Sequence, residues 1–419
     1  MIKHYGRDKP EKHLEMPEHP WWENIDPNLH KSSHPFEANI CSRLLVWATM
    51  LLDLMLLFCL SALFLLMPLG LLLTRIAALI GFNNEWNILR NDAKNAAFYR
   101  DLNAKKTTAE IFIAPPKGVT IIESPPKSLP FQSEGFITEL SFNSPFETLN
   151  PELRASYAYY KKNNTAHAHH WQHEGGPRPT IIIIHGFIVS GVGINDAIFE
   201  ARSLFHQGFN ILFYLQPFHG KKRVTFPYVS GLHFFFGGSF VNECYAHSVF
   251  DCRIFLDHLE GKGVTEVGVT GVSLGGLASG LLAAVEPRLQ FSVPRMPMVN
   301  LADNLLLWPG LALFLKTQKW FGGLTIPELR HTLALTSPLT HTPVIAKERL
   351  MIIGGLGDKL ICDKTIRILA HHWGDCPVSW HRHGHVSPFG TSNGRVFQAF
   401  LAEINFGNSE TEKTQETEH

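Results

Sequence analysis

The sequence predicts an α/β fold, a mostly parallel central sheet with helices on both faces. Two observations predict it. From Thr180 onward, short apolar runs of strand length alternate with stretches of helical periodicity, the pattern of repeated βα units. Midway through that alternation, the β-branched run Val264 to Thr270 passes through Gly271-Val272-Ser273-Leu274-Gly275 into Gly276 and the small apolar run Leu277 to Val285. Strand, sharp turn and helix are then contiguous. A third observation adds an element outside the sheet. Leu54 to Thr74 is 21 residues without a charge, the length needed to cross a bilayer.

Taken in order, residues 1–43 form a polar segment rich in Pro, His, Trp and charge. Its histidines, His4, His13, His19, His30 and His34, lack metal-ligand spacing. Residues 44–82 are the membrane segment, with Asp53 and Arg75 bracketing its uncharged centre. Two arrangements fit: one tilted span loosened by Pro68 and Gly70, or a membrane-dipping hairpin bent at Pro68-Leu69-Gly70. Arg75, Arg90 and Lys94 after the run, against Lys31 and Arg43 before it, orient the remaining chain toward the cytoplasm. The expected localisation is therefore membrane, single-pass or monotopic.

Residues 83–178 are a connector with leading strands. Ala93 to Leu102 has helical composition, with Asp92 as its cap. Strands are expected at Ile111 to Ile113, Val119 to Glu123 and Phe136 to Phe142, and a helix at Pro151 to Tyr160. Thr165 to His173 carries four histidines between Asn163-Asn164 and Gly175-Gly176-Pro177. A solvated loop is the expectation there, since metal ligands drawn from one short segment lack a second element to fix them.

Residues 179–406 are the α/β core. Strands are expected at 180–184, Phe209 to Leu215, Val264 to Thr270, Phe291 to Met296, 350–354 and Val378 to His381. Helices are expected near Asn195 to Gln207, Phe240 to Leu259, Lys364 to Trp373 and Gly394 to Ile404. The stretch 297–343 is too long for a plain loop, and its run Leu305 to Leu315 predicts a small lid of short apolar helices. Residues 407–419 read as a disordered polar tail.

The chemistry starts at Ser273. A serine at the tip of a strand-to-helix turn sits on strained backbone, so its neighbours two residues away must be small, and Gly271 and Gly275 meet that need. Upstream, the strand Thr180 to Ile184 ends in His185-Gly186-Phe187. Downstream, Leu350 to Ile353 leads into Gly354-Gly355-Leu356-Gly357-Asp358, and Trp380 leads into His381-Arg382-His383-Gly384-His385. Ser, Asp, His in this chain order resembles the α/β-hydrolase superfamily over roughly Pro179 to Phe406. Within it, Leu215-Gln216-Pro217-Phe218-His219-Gly220-Lys221-Lys222-Arg223 looks like the Pro-aromatic-x-Gly-basic stretch of proteins similar to α/β-hydrolase domain-containing protein 18.

The resemblance implies an α/β-hydrolase fold and a triad of Ser273 as nucleophile, His385 as base and Asp358 as the acid that orients it. Backbone N–H groups of Phe187 and Leu274 would hold the oxyanion. His185 is then structural. Asp303 is the alternative acid, His383 the alternative base, and Asp363 a helix cap. The expected reaction is cleavage of carboxylic esters through an acyl-enzyme. The membrane segment, the apolar lid and Phe234-Phe235-Phe236 favour a lipid-like ester. An amidase or thioesterase with the same triad, and a non-catalytic interaction protein, are the alternatives.

Composition narrows the partners. Among 419 residues, Lys+Arg and Asp+Glu are both 37, so no net field draws the chain to nucleic acid. Lys221-Lys222-Arg223 lies after a strand C-terminus and would meet an anionic headgroup or simply solvent. Six cysteines without a C-x-x-C pair indicate neither a zinc site nor a disulfide framework. No cofactor and no metal is implied. The expected partners are the substrate and a membrane.

Overall fold

The structure, a computed structural model, describes residues 20–25, 47–55, 58, 83–129, 131, 135–222, 230–308, 312–313, 324–381, 383–386 and 391–407. Among the described residues, ten strands form one mixed sheet: β1 Ile122–Glu123, β2 Lys127–Ser128, β3 Phe136–Asn143, β4 Thr165–Gln172, β5 Thr180–Ile184, β6 Asn210–Leu215, β7 Val267–Val272, β8 Leu289–Arg295, β9 Ile352–Gly355 and β10 Val378–His381. Their order is β1-β3-β4-β6-β5-β7-β8-β9-β10, with β2 beside β3. The pairs from β6 to β10 are parallel, and the leading strands are antiparallel.

Helices cover both faces, as two adjacent side chains of β8 show. Phe291 packs edge-on against Phe397 and Phe400 of the helix Thr391–Glu403. Ser292 faces the other way and donates to the Ser279 carbonyl in the helix Leu274–Val285. Successive strand residues point to opposite faces, so one strand serves two layers. β5 and β7 are buried along their whole length, which explains their unbroken apolar runs.

Several elements differ from the sequence reading. Thr165 to Gln172 is a central strand rather than a loop. Ala166, Ala168 and His170 alternate into the buried layer, and eight consecutive residues pair with β3. Residues 111–113 are not a strand, because Thr108–Ile111 forms a helical turn closed by a Thr107–Glu110 capping box. The helix expected near Asn195 splits into Val192–Phe199 and Ala201–His206, broken where Glu200 takes φ 54°. Asp92 lies inside the helix Asn83–Lys105 and caps a different one. Its carboxylate accepts from the N–H groups of Gly238 and Ser239, at the start of the helix Gly238–Gly261. Within 297–343, Leu301, Leu305, Trp308, Leu329 and Leu333 are buried in the main core, so these described parts of the expected lid are packing elements.

Among the described residues, no helix is long and apolar enough to cross a membrane. Of the expected span at 54–74 only 54, 55 and 58 are among the described residues, and the tail from 408 lies outside them. Residues 47–55 are helical.

Candidate active site

Ser273 stands at the C-terminal end of β7 with φ 57° and ψ −111°, a conformation sparsely populated by any residue with a side chain. The surrounding backbone over-determines it. A Cβ on Gly271 would come 2.1 Å from the Gly275 carbonyl oxygen, and one on Gly275 would come 2.1 Å from that of Ile184. The Ser273 N–H donates to the Arg295 carbonyl of β8 at 2.9 Å. Glycine at both flanking positions is therefore a steric requirement of the turn. The helix Leu274–Val285 starts one residue later, so the Leu274 N–H is among its N-terminal amides.

The His185-Gly186 turn after β5 crosses close above β7, since a Cβ on Gly186 would lie 3.3 Å from the Val272 carbonyl. Phe187 follows that turn. His185 is buried, with Nε2 accepting from the Gln216 N–H at 3.1 Å and Nδ1 2.8 Å from the Gly186 carbonyl. The bond from Gln216, with a second from its side chain to the His185 carbonyl, ties β5 to the loop after β6. Burial lowers its pKa to about 4, so the ring is a neutral structural group.

The turn after β9 carries Asp358. One carboxylate oxygen accepts from the Leu360 and Ile361 N–H groups at 2.8 and 2.9 Å, and the other is 2.7 Å from His385 Nδ1. Burial disfavours the charged imidazole of His385. The Asp358 charge and hydrogen bond, with the Asp53 charge behind them, outweigh that and raise its pKa. No hydrogen bond joins Ser273 Oγ to His385 among the described residues.

The alternatives sit elsewhere. Asp303 is buried and bound by Arg330 through two bonds of 2.8 and 2.5 Å, with Asn300 as a third partner. His383 is half-buried and stacked on His381, whose Nδ1 accepts from the His383 N–H. Asp363 occupies the first turn of the helix Asp363–His372 rather than its cap position, 3.7 Å from Arg367.

The described part of the loop after β6 departs from a solvated basic loop at Lys222. Lys222 is fully buried, 3.3 Å from Asp251, and Asp251 also accepts from Ser144 and Tyr214. Lys221 pairs with Glu139 on β3, and Arg223 lies outside the described residues. Phe218 adopts φ 61°, with its N–H held by the Asn163 side chain. Phe234 and Phe236 are buried in the core. A cavity of about 440 Å³ opens beside β4, β5 and β6, lined by His167, His169, His185 and Lys221, and none of Ser273, Asp358 and His385 reaches it.

Asp53, read above as the end of an apolar span, is fully buried against the His385 loop. Its carboxylate accepts from the N–H groups of His385 at 2.7 Å, Val386 at 2.8 Å and Lys359 at 3.1 Å. One charge inside an apolar run, with Thr49 four residues earlier on the same helix face, was the available signal.

A scan of protein-family models finds no match. Two uncharacterised proteins of Mycobacterium tuberculosis are 26% identical over 242 residues, which is 55% of this chain and 55% of each relative. The chain thus spans about half the length of the curated relatives it matches. Acetyl xylan esterase 1 from Thermoanaerobacterium sp. JW/SL YS485 superposes with a TM-score of 0.50 at 18% identity, over 75% of this chain and 97% of that one. The fold is that of the α/β-hydrolases. At that identity the likeness reaches the fold and stops there.

Proposed function

We propose that this chain is a membrane-anchored serine hydrolase that cleaves carboxylic esters. The observation that carries the reading is the buried Asp358–His385 pair at the sheet end where Ser273 stands in a strained strand-to-helix turn. In the proposed reaction, His385 Nε2 takes the Ser273 hydroxyl proton as Oγ attacks the ester carbonyl carbon. The N–H groups of Phe187 and Leu274 receive the oxyanion. Collapse expels the alcohol, which leaves with the proton from His385, and an acyl-enzyme remains. Water repeats the sequence and frees the acid. Asp358 accepts a hydrogen bond from Nδ1–H throughout, fixing the tautomer that leaves Nε2 to act as base.

A lipid-like ester is the proposed substrate class. Trp47 and Leu51 just before the uncharged run, and Leu54, Met55 and Phe58 at its start, are exposed apolar residues. The finer likeness to proteins similar to α/β-hydrolase domain-containing protein 18 belongs with this reading, as does a catalytic domain on the cytoplasmic side. The test is Ser273→Ala. A small residue fits the turn at least as well, so the variant should fold. It should lose reaction with a fluorophosphonate and hydrolysis of a short p-nitrophenyl ester. Retention of more than a few per cent of the wild-type rate would move the nucleophile elsewhere.

A further inference from the structure

The buried carboxylate of Asp53 bonds to the two loops that hold the proposed acid and base. The helix over 47–55 lies against the 383–386 stretch with Thr49 and Asp53 turned inward. Thr49 Oγ1 accepts from the Gly384 N–H at 2.9 Å. Asp53 accepts from His385 and Val386, and from Lys359 in the turn next to Asp358. Four successive or facing backbone donors thus end on two side chains of one helical turn. The approach is close enough to dictate sequence. A Cβ on Gly384 would lie 2.7 Å from Asp53 Oδ2 and 2.9 Å from the Thr49 carbonyl.

We infer that Asp53 is a positioning residue for the triad, clamping the His385 loop to the Asp358 turn and supplying a second negative charge behind the imidazole. This rests on the serine hydrolase reading above. Backbone N–H groups of these loops cannot be satisfied within a strand or helix, and three of them converge on Asp53 in a buried place. Without it, the imidazole would keep its bond to Asp358 only as firmly as an unanchored loop allows, and misplacement by a fraction of an ångström lowers the rate steeply. Burial and the charge of Asp358 both push the Asp53 pKa up, and the His385 and Val386 N–H groups pull it back. The groups facing His385 are Asp358 from the β9 turn, Asp53 from the 47–55 helix, and His381 and His383 from its own stretch, with Arg295 at the end of β8 beyond His381.

The sign follows. Asp53 stabilises the charged imidazole, so removing its charge lowers the His385 pKa. The base is active when neutral, so the acid limb of the pH profile moves to lower pH.

The experiment uses the full chain. Wild type, Asp53→Asn, Asp53→Glu and Thr49→Val are compared for fluorophosphonate inactivation rate and for kcat and KM on a short p-nitrophenyl ester from pH 5 to 9. Asp53→Asn is isosteric but turns a donor toward the clamp. It should lose about tenfold to a hundredfold in kcat with KM within about twofold, and its acid limb should move down. Thr49→Val, which keeps the charge, should lose only a few-fold with the limb unmoved. Asp53→Glu should recover the limb position. A purely structural role would lower melting temperature and active fraction in all variants alike, with one common limb. An unmoved limb, or a kcat within twofold of wild type in folded Asp53→Asn, overturns the proposal. If Asp53→Asn fails to fold, Thr49→Val decides: a few-fold kcat loss at unchanged melting temperature supports the proposal, and a wild-type kcat, or a loss that only follows a lowered melting temperature, overturns it. If wild type itself leaves Ser273 unlabelled, the hydrolase reading fails first and takes this inference with it.

Discussion

The side chains of Asp303 and Asp358 are both buried, both residues follow strands, and both have cationic or polar partners, yet they are bonded differently. Asp303 is spent on Arg330, a bidentate pair with neither side chain open to solvent. Asp358 gives one oxygen to backbone N–H groups and the other to His385. Two asparagine variants separate the roles. Asp358→Asn presents an amide donor where Nδ1–H needs an acceptor, so activity should fall on the order of a thousandfold or more with the fold kept. Asp303→Asn leaves the Arg330 charge buried without its counter-charge, a change that costs about 3–5 kcal/mol when a buried pair is broken. Its melting temperature should drop while the folded fraction keeps near wild-type kcat. A kcat loss at Asp303 equal to that at Asp358 would reassign the acid. At this scale the sequence spoke through local sterics. Gly271 and Gly275 announced the strained serine because no larger residue fits there. Asp53 stayed hidden because its partners lie more than 300 positions away and are backbone N–H groups, which leave no mark on residue type.

Among the elements, the helix Gly238–Gly261 shows how periodicity is read and misread. Its apolar spacing predicted it, and the structure extends it by a few residues at each end. The same spacing gave no hint of Glu243, which lies buried within the helix. Glu243 accepts from Tyr99 and from the Leu149 and Asn150 N–H groups, joining the helix to Asn83–Lys105 and to the segment before Pro151. Burial raises its pKa to about 7, against the hydrogen bonds that favour the anion. A carboxyl whose folded pKa exceeds its unfolded one near 4.5 binds its proton more tightly when folded. Its contribution is full below about pH 4.5 and is lost as pH rises through about 7. Melting temperature should therefore decline from this group between those values, and Glu243→Gln should flatten that part of the profile. An unchanged slope in the variant would show that Glu243 does not titrate there. β4 was missed for a different reason. Ala166, Ala168 and His170 alternate with His167 and His169, a period of two, but histidine and alanine carry little strand propensity, and flanking Asn and Gly spelled a loop. The β5 run was legible because β-branched residues fill it, and β7 because valine and threonine supply its non-glycine positions.

At the scale of the molecule, the parallel half of the sheet gathers Phe187, Ser273, Asp358 and His385 at one end, because every strand there points the same way and every loop leaves from the same edge. The order of motifs along the chain was therefore enough to predict the gathering. What order could not show is that the 47–55 helix joins the same end. That helix has two faces, one bonded to the His385 loop and one exposing Trp47, Leu51, Leu54 and Met55. The uncharged run continues to Thr74, 21 residues that would extend about 32 Å as a helix, against roughly 30 Å of hydrocarbon. A helix satisfies its own backbone groups, so insertion exposes none of them to lipid. Full-length protein should accordingly stay with membranes through a carbonate wash that strips peripheral proteins. A shortened chain beginning at Asn83 should be released, and it should react more slowly with a fluorophosphonate, since it lacks Thr49 and Asp53. The two readouts separate two claims. Quantitative release of the full chain by carbonate would end the span reading while leaving the clamp intact. A wild-type labelling rate in the shortened chain would show instead that Ser273 and His385 hold their geometry without the helix, whatever holds the protein to the membrane.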